Sequence, residues 1–429
     1  MWILVFIAIN LLKKTRCFVV RVKNSVLPVG EGERIEVLDV MRGIALLGIL
    51  LVNMKSFAGP DTPISYLSYA YWNESYNVAA TILLDFFVQG NFITMFSFLF
   101  GFGIIIMKER AEAKERRILP IFARRQIVLF LFGVLHVVLF WHGDILINYA
   151  GIGMIALLFI RRKPKTLFLT GIIILTLYSA LMTAGNALYW ATGEPVKTQK
   201  QDDAKYEAEI EEMINVYSDG TFTEIMAVRI SEWQELNAFF IITAIALLPM
   251  FLFGMYSAKK RNLYTPKNLW RILAATFILG AGSKLLPVLF YSEKGKSGVY
   301  ETTWIWGYEF GGAMMSLFYL SLIVLLYKTV NGKKLLSAFA APGRMAFTIY
   351  LMQSVICTTI FNSYGLGLYG SIGPMTGAFL AAVIFSVQLI FAKWWIKRYT
   401  MGPLEWVWRT LTYGKVLKLK RDVSEKSSI

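Results

Sequence analysis

Apolar runs of about twenty residues recur along this chain, and that is the length a helix needs to cross a hydrocarbon core. Inside lipid each backbone N–H and C=O must find its partner within the segment, so runs of this length fold as helices. Of the 429 residues 56% are hydrophobic and only 17% are charged, too little charge for a water-soluble domain of this size. The pattern predicts an all-α, polytopic integral membrane protein with ten spans, at roughly 43–58, 79–107, 126–141, 144–160, 166–190, 238–257, 272–292, 304–327, 345–362 and 374–395. The second is over-long, and its "VQGNF" predicts a break at Gly90 and Asn91.

A formal charge of +16 would point a soluble protein towards nucleic acid. Here it is segregated by loop: 36 of the 44 Lys and Arg fall on one side once the segment before the first span is placed inside. The positive-inside rule then puts both termini in the cytoplasm and excludes nucleic acid as a partner. Two cysteines far apart, Cys17 and Cys357, give neither a disulfide framework nor a zinc spacing, so no metal site is expected. The chain divides into an N-terminal extension (1–35) with a short apolar interfacial run, a first membrane half (36–190), an acidic external segment (191–237), a second membrane half (238–398) and a basic, aromatic cytoplasmic tail (399–429). Around 203–216 the external segment has helical periodicity, with Tyr206, Ile210, Met213 and Ile214 near one face, and reads first as a solvated cap.

Charged groups at mid-bilayer cost roughly 2.5–3.5 kcal/mol each on insertion scales, so those present need an explanation. They are Asp85, His136, Asp144, Lys284 and Glu309, with Asn53 and Lys55 towards the outer end of the first span and Asp39 and Arg42 at its cytoplasmic end. Both histidines lie in "LHVVLFWHGDIL" (135–146). His136 falls inside the third span, where a neutral imidazole suits a general base, and Asp144 follows a tight turn from which it can orient that ring. Equally, His136 fits a hydrogen bond to a neighbouring helix and Asp144 fits a helix N-cap. His142 reads as an interfacial surface histidine. In "TIYLMQS", Thr348, Gln353 and Ser354 are either polar glue between helices or contacts to a substrate. Gly43, Gly48, Gly101 and Gly103 read as sites of close helix packing.

Several stretches resemble a known family. "LDVMRGIALLGILLVNM" (38–54), "FSFLFGFG" (96–103), "GVLHVVLFWHGDILINYA" (133–150), "GRMAFTIYLMQS" (343–354) and "GPLEWVWR" (402–409) resemble, in order, the signatures of the YeiB-like bacterial membrane proteins, defined by domain of unknown function 418. That family is in turn similar, more distantly, to transmembrane acyltransferases that take an acyl group from a cytosolic donor, often acetyl-CoA, and deliver it across or within the membrane. The histidine that glucosaminide acetyltransferases carry shortly after the opening motif has no counterpart here, since 54–91 contain none.

The resemblance implies acyl transfer from an acyl-CoA co-substrate, with no tightly bound cofactor, to a cell-envelope glycan or lipid acceptor. His136 is then the base and Asp144 its orienter. Asn53, Asp39, Arg42, Glu309, Thr348, Gln353 and Ser354 are candidate substrate contacts. Arg42, Arg124 and Arg125 are placed to meet donor phosphates, although Arg124 and Arg125 read first as positive-inside charge. The location implied is a bacterial plasma membrane, with membrane lipids as partners. The rival is a transporter or lipid translocase without covalent chemistry, which alternating gates around Glu309 or Lys284 would favour.

Overall fold

The computed structural model describes residues 35–238, 240–260 and 269–421; the short apolar N-terminal run and Cys17 lie outside the described residues. Among the described residues the chain is helical, with one isolated bridge, Tyr399–Lys420, and no strand. The principal helices are α1 (Glu36–Ala58), α2 (Ser75–Phe87), α3 (Asn91–Glu112), α4 (Ile118–Leu139), α5 (Leu146–Phe159), α6 (Pro164–Ala191), α7 (Glu194–Asp219), α8 (Phe222–Asn237), α9 (Phe240–Lys260), α10 (Leu269–Leu289), α11 (Val299–Tyr327), α12 (Ala346–Phe361), α13 (Pro374–Ile396) and α14 (Pro403–Tyr413).

Among the described residues eight spans are long and apolar enough to cross a membrane, with α2 and α3 counted as one, or nine if the bent pair Val330–Arg344 and Ala346–Phe361 is one span. Their outer faces carry large exposed apolar side chains, among them Leu181 on α6, Ile278 on α10 and Phe379 on α13, as lipid contact requires. The expected fourth and ninth spans are helices but shorter ones. α5 has 14 residues, and α12 has 16 and meets the preceding segment Val330–Arg344 at 78°. Arg344 and the α12 start therefore form a sharp corner.

α1 runs through the middle, with Val40, Met41, Ala45, Leu46 and Leu50 fully buried. Small residues set the close crossings: a Cβ at Gly43 would lie 2.0 Å from Phe339 O, and one at Gly101 would lie 2.1 Å from Phe251 O. Gly48 is likewise tight, its added Cβ meeting the Phe92 ring, whereas Gly103 faces open space instead of a helix.

The predicted break is present. Gly90, at φ +76°, separates α2 from α3, a backbone conformation natural to glycine. A break inside a membrane frees backbone carbonyls that water cannot reach. Here Lys284 Nζ donates to Asp85 O and Gln89 O, Asn91 Nδ2 to Phe86 O and Tyr319 Oη to Phe87 O. Lys55 pairs with the Asp85 carboxylate at 2.9 Å. The costly mid-span charges Lys55, Asp85 and Lys284 thus hold the broken helix together.

The acidic segment is a pair of helices, α7 and α8, packed back onto one end of the bundle. Ile210, Met213, Tyr217, Ile225 and Arg229 are buried, so the cap is a folded layer and not only a solvated one. Thr221 opens α8 with a capping box to Glu224.

Candidate functional site

α4 ends at Leu139, and the chain turns through 140–145 before α5 starts at Leu146. The turn can be this tight because position 133 is glycine. A Cβ there would lie 2.8 Å from Asp144 Oδ1 and 2.6 Å from the Ile147 side chain. Asp144 consequently makes contacts in both of the directions its position suggested, from one residue before the Ile145 N-cap. Its Oδ1 accepts the Ile147 amide at 2.9 Å and caps the start of α5, while its Oδ2 lies 2.8 Å from His136 Nδ1.

The other face of the imidazole meets α12. His136 Nε2 and Ser354 Oγ are 2.8 Å apart. A carboxylate at Nδ1 fixes that nitrogen as the donor, which leaves Nε2 with a lone pair for the Ser354 hydroxyl proton. His136, Asp144 and Ser354 are 1%, 3% and 1% exposed, so this is a dry Ser–His–Asp chain joining three helices. The end of α12 that leads to Ser354 is anchored by Glu405 on α14. Its carboxylate accepts the Phe347 and Thr348 amides and the Thr348 hydroxyl, an N-terminal cap supplied from another helix.

Beside this chain runs a cavity of about 880 Å³. One end is rich in arginine, with Arg42, Arg110, Arg125, Arg344 and Arg409 set beside Asp39, Glu109 and Glu405. Arg125 lies 4.4 Å above the Trp408 ring and 5.5 Å from that of Phe100, which accounts for a buried guanidinium in a membrane span. The middle is apolar, with Leu46, Ile49, Ile93, Phe96 and Leu99 in its wall. The far end, beneath α8, is polar, with Asn53, Ser56, Asp61, His142, Asp144 and Asn148. Burial pushes the Asp61 carboxyl above its ordinary range, against the pull of Lys55. Trp141 and Tyr350 also line this end, while His136 and Ser354 lie one side-chain layer behind the wall.

The structure sorts the predicted residues. It brings together His136, Asp144 and Ser354, and places Asn53, Asp39 and Arg42 on the cavity, the last two paired at 2.7 Å. Thr348, Gln353 and Glu309 do not line it. Thr348 is consumed by Glu405 and Leu404, Gln353 bonds Leu46 O and Gln388, and Glu309 sits in a π-helical turn with the Tyr178 hydroxyl at 3.3 Å. Arg124 points away to Thr412 O, whereas Arg125 faces the cavity. His142 is not a surface residue. It is 6% exposed, with Nε2 2.9 Å from Ser56 Oγ and Nδ1 3.1 Å from Glu232 on α8, because the cap folds over it. Sequence reasoning missed Trp141, Tyr350, Arg344, Glu405 and Arg409 as cavity residues. The one signal for Glu405 was an acid standing alone in a basic tail.

Fold and site together define a helical, multi-pass membrane protein with a buried Ser–His–Asp chain beside a long internal cavity. Within that class, the chain belongs to the YeiB-like family defined by domain of unknown function 418. Residues 253–415 match the family described as "Protein of unknown function (DUF418)". The chain is 38% identical to the uncharacterized protein YxaH of Bacillus subtilis (strain 168) over 416 residues, covering 91% of this chain and 97% of that one. It is also 27% identical to the uncharacterized protein YeiB of Escherichia coli (strain K12), covering 89% and 96%. No solved structure matches it.

Proposed function

We propose that this protein is a transmembrane acyltransferase of a bacterial plasma membrane, moving an acyl group from a cytosolic acyl-CoA donor to an acceptor at the outer side of, or within, the membrane. The observation that carries this reading is the Ser354–His136–Asp144 chain, with both imidazole nitrogens engaged at 2.8 Å. Because Nε2 faces a serine hydroxyl, the chemistry it suits is a double displacement. Ser354 Oγ attacks the thioester carbonyl carbon as its proton passes to His136 Nε2, and the carbonyl π pair moves onto oxygen. Collapse expels the CoA thiolate, which takes the proton from His136. An acceptor hydroxyl or amine then attacks the acyl-serine, giving its proton to Nε2, and Ser354 leaves with that proton. Asp144 keeps Nδ1 protonated and stabilises the imidazolium.

The cavity supports the donor assignment. Under the positive-inside rule its basic end faces the cytosol, where arginines suit the phosphates of CoA. From the corner beside Arg344, α12 runs eight residues from Ala346 to Ser354, roughly 12 Å at helical rise, a gap of the order that a pantetheine arm spans. Trp141 or Tyr350 must shift for the thioester to reach Ser354. The test is purified protein in proteoliposomes given radiolabelled acyl-CoAs of graded chain length. Wild type should carry label on Ser354 and consume donor, and Ser354→Ala and His136→Ala should do neither. Consumption by Ser354→Ala at the wild-type rate, or none by wild type across the series, overturns the proposal. A lipid translocase is the second reading, favoured by the cavity's continuity from basic to polar end; movement of substrate without donor consumption would support it.

A further inference from the structure

Two hydrogen-bond donors beside the serine–histidine pair are unspent. Trp141 Nε1 is buried and finds no hydrogen-bond partner among the described residues, and the Tyr350 hydroxyl, which the Ile145 amide approaches as a donor, finds no acceptor there for its own proton. The residues themselves are 5% and 7% exposed. Leaving a buried donor without an acceptor is costly, so two of them on one cavity wall need a reason. Both line the cavity, and both rings flank the imidazole: the centroid separations from His136 are 6.3 Å for Trp141 and 5.4 Å for Tyr350. Trp141 packs on Phe57 at 4.2 Å, and Tyr350 is fixed on α12 one turn before Ser354.

Resting on the acyl-transfer reading, we infer that Trp141 Nε1–H and Tyr350 Oη–H are the donors that receive the negative charge developing on the acyl carbonyl oxygen when Ser354 attacks. A carbonyl reaching Ser354 from the cavity passes Trp141 and Tyr350, which line the cavity in front of the buried serine, and one of the two rings shifts to admit it. The ground-state structure keeps the donors empty, and the tetrahedral oxygen fills them, which is the condition for lowering a barrier instead of only tightening binding. Among the described residues no lysine or arginine lines this stretch of wall, where His142 and Asp144 are the neighbouring polar groups; the arginines line the opposite end. The substrate class that follows is a carbonyl ester or thioester.

A fluorophosphonate probe tests this without knowledge of donor or acceptor. It phosphonylates an activated serine with loss of fluoride, and its phosphoryl oxygen occupies the oxyanion position. In the full-length protein, wild type should be labelled at Ser354, as located by peptide mass spectrometry, and Ser354→Ala should not. Tyr350→Phe and Trp141→Phe keep the rings and delete one donor each. Each should lower the maximal labelling rate about 10²–10³-fold, with the probe concentration at half-maximal rate unchanged. A packing role would leave the maximal rate alone. Wild-type maximal rates in both variants, with labelling still at Ser354, overturn the oxyanion assignment and leave the nucleophile standing. Absence of labelling in wild type removes Ser354 as nucleophile, and with it both the acyl-transfer reading and this inference.

Discussion

Replacing Asp144 with asparagine separates the two tasks of that carboxylate. Wild-type Asp144 uses one oxygen for the Ile147 amide at 2.9 Å and the other for His136 Nδ1 at 2.8 Å. Asparagine has one acceptor and one donor group, so it satisfies both partners in only one orientation. If its NH₂ faces Ile147, two donors meet in a dry site, at a cost of roughly 1–3 kcal/mol. If its oxygen keeps Ile147, the NH₂ donates to Nδ1, and the imidazole adopts the other tautomer. Every buried group then keeps a partner, so this orientation wins and stability falls by less than about 1 kcal/mol.

The consequence for chemistry is large. In the second tautomer Nε2 carries the proton and cannot accept one from Ser354. The corresponding change in serine proteases lowers the rate by about 10⁴, equivalent to roughly 5.4 kcal/mol of barrier at 1.36 kcal/mol per tenfold. Asp144→Asn should therefore unfold within a few degrees of wild type in a detergent thermal scan, yet lose acyl transfer by about four orders of magnitude in proteoliposomes. A folded Asp144→Asn protein transferring within about tenfold of wild type would show that tautomer control at His136 does not serve catalysis, and the argument from this hydrogen-bond chain would fail.

Three further outcomes are expected. Gly133→Ala puts a methyl 2.8 Å from Asp144 Oδ1 and 2.9 Å from the Ile147 amide nitrogen; it should destabilise by about 1–3 kcal/mol and depress activity, and an unchanged melting temperature would contradict the packing argument. Arg409→Gln removes a guanidinium from the basic end of the cavity and should raise the KM for acyl-CoA at least tenfold with little change in kcat, a split that steady-state kinetics reads directly. Burial is the largest influence on Glu405 and raises its carboxyl above 4.5, ahead of the hydrogen bonds from Thr348 that lower it. A carboxyl raised in the folded state adds stability below its unfolded value and loses that contribution as pH rises through the folded value. Thermal scans from pH 4 upwards should accordingly show Glu405→Gln with a flatter decline above pH 4.5 than wild type, and parallel curves would contradict this.

The sequence made the spans legible because membrane length and hydropathy are local properties. It also made the break at Gly90 legible, since glycine and asparagine interrupt an apolar run visibly. The His136–Asp144 pair was readable for the same reason, as eight residues and a tight turn connect them. Ser354 was visible as a polar residue in a span, but its partner is 218 positions away, and only the crossing of α12 over α4 sets its role. Trp141 and Tyr350 looked like ordinary interfacial and core aromatics. What distinguishes them is a donor without an acceptor, a property of three-dimensional surroundings that no local pattern carries. His142 misled for a related cause: its burial is created by α8, some ninety residues downstream.

The same distinction bears on what the expensive charges mean. Lys284, Lys55 and Asp85 would suit a transport path if they faced a passage. Instead Lys284 spends its ammonium on the carbonyls freed at Gly90, and Lys55 and Asp85 neutralise one another. None of the three lines the large cavity. That cavity is charged only towards its ends, and its apolar middle offers no ladder of polar sites along which an ion or solvated solute could step. A molecule that fits it has an anionic end, an extended linker and a reactive group that must arrive beside Ser354. The proposed acyl-CoA donor has this shape, and that is why the placement of charge supports the proposal of acyl transfer over that of translocation.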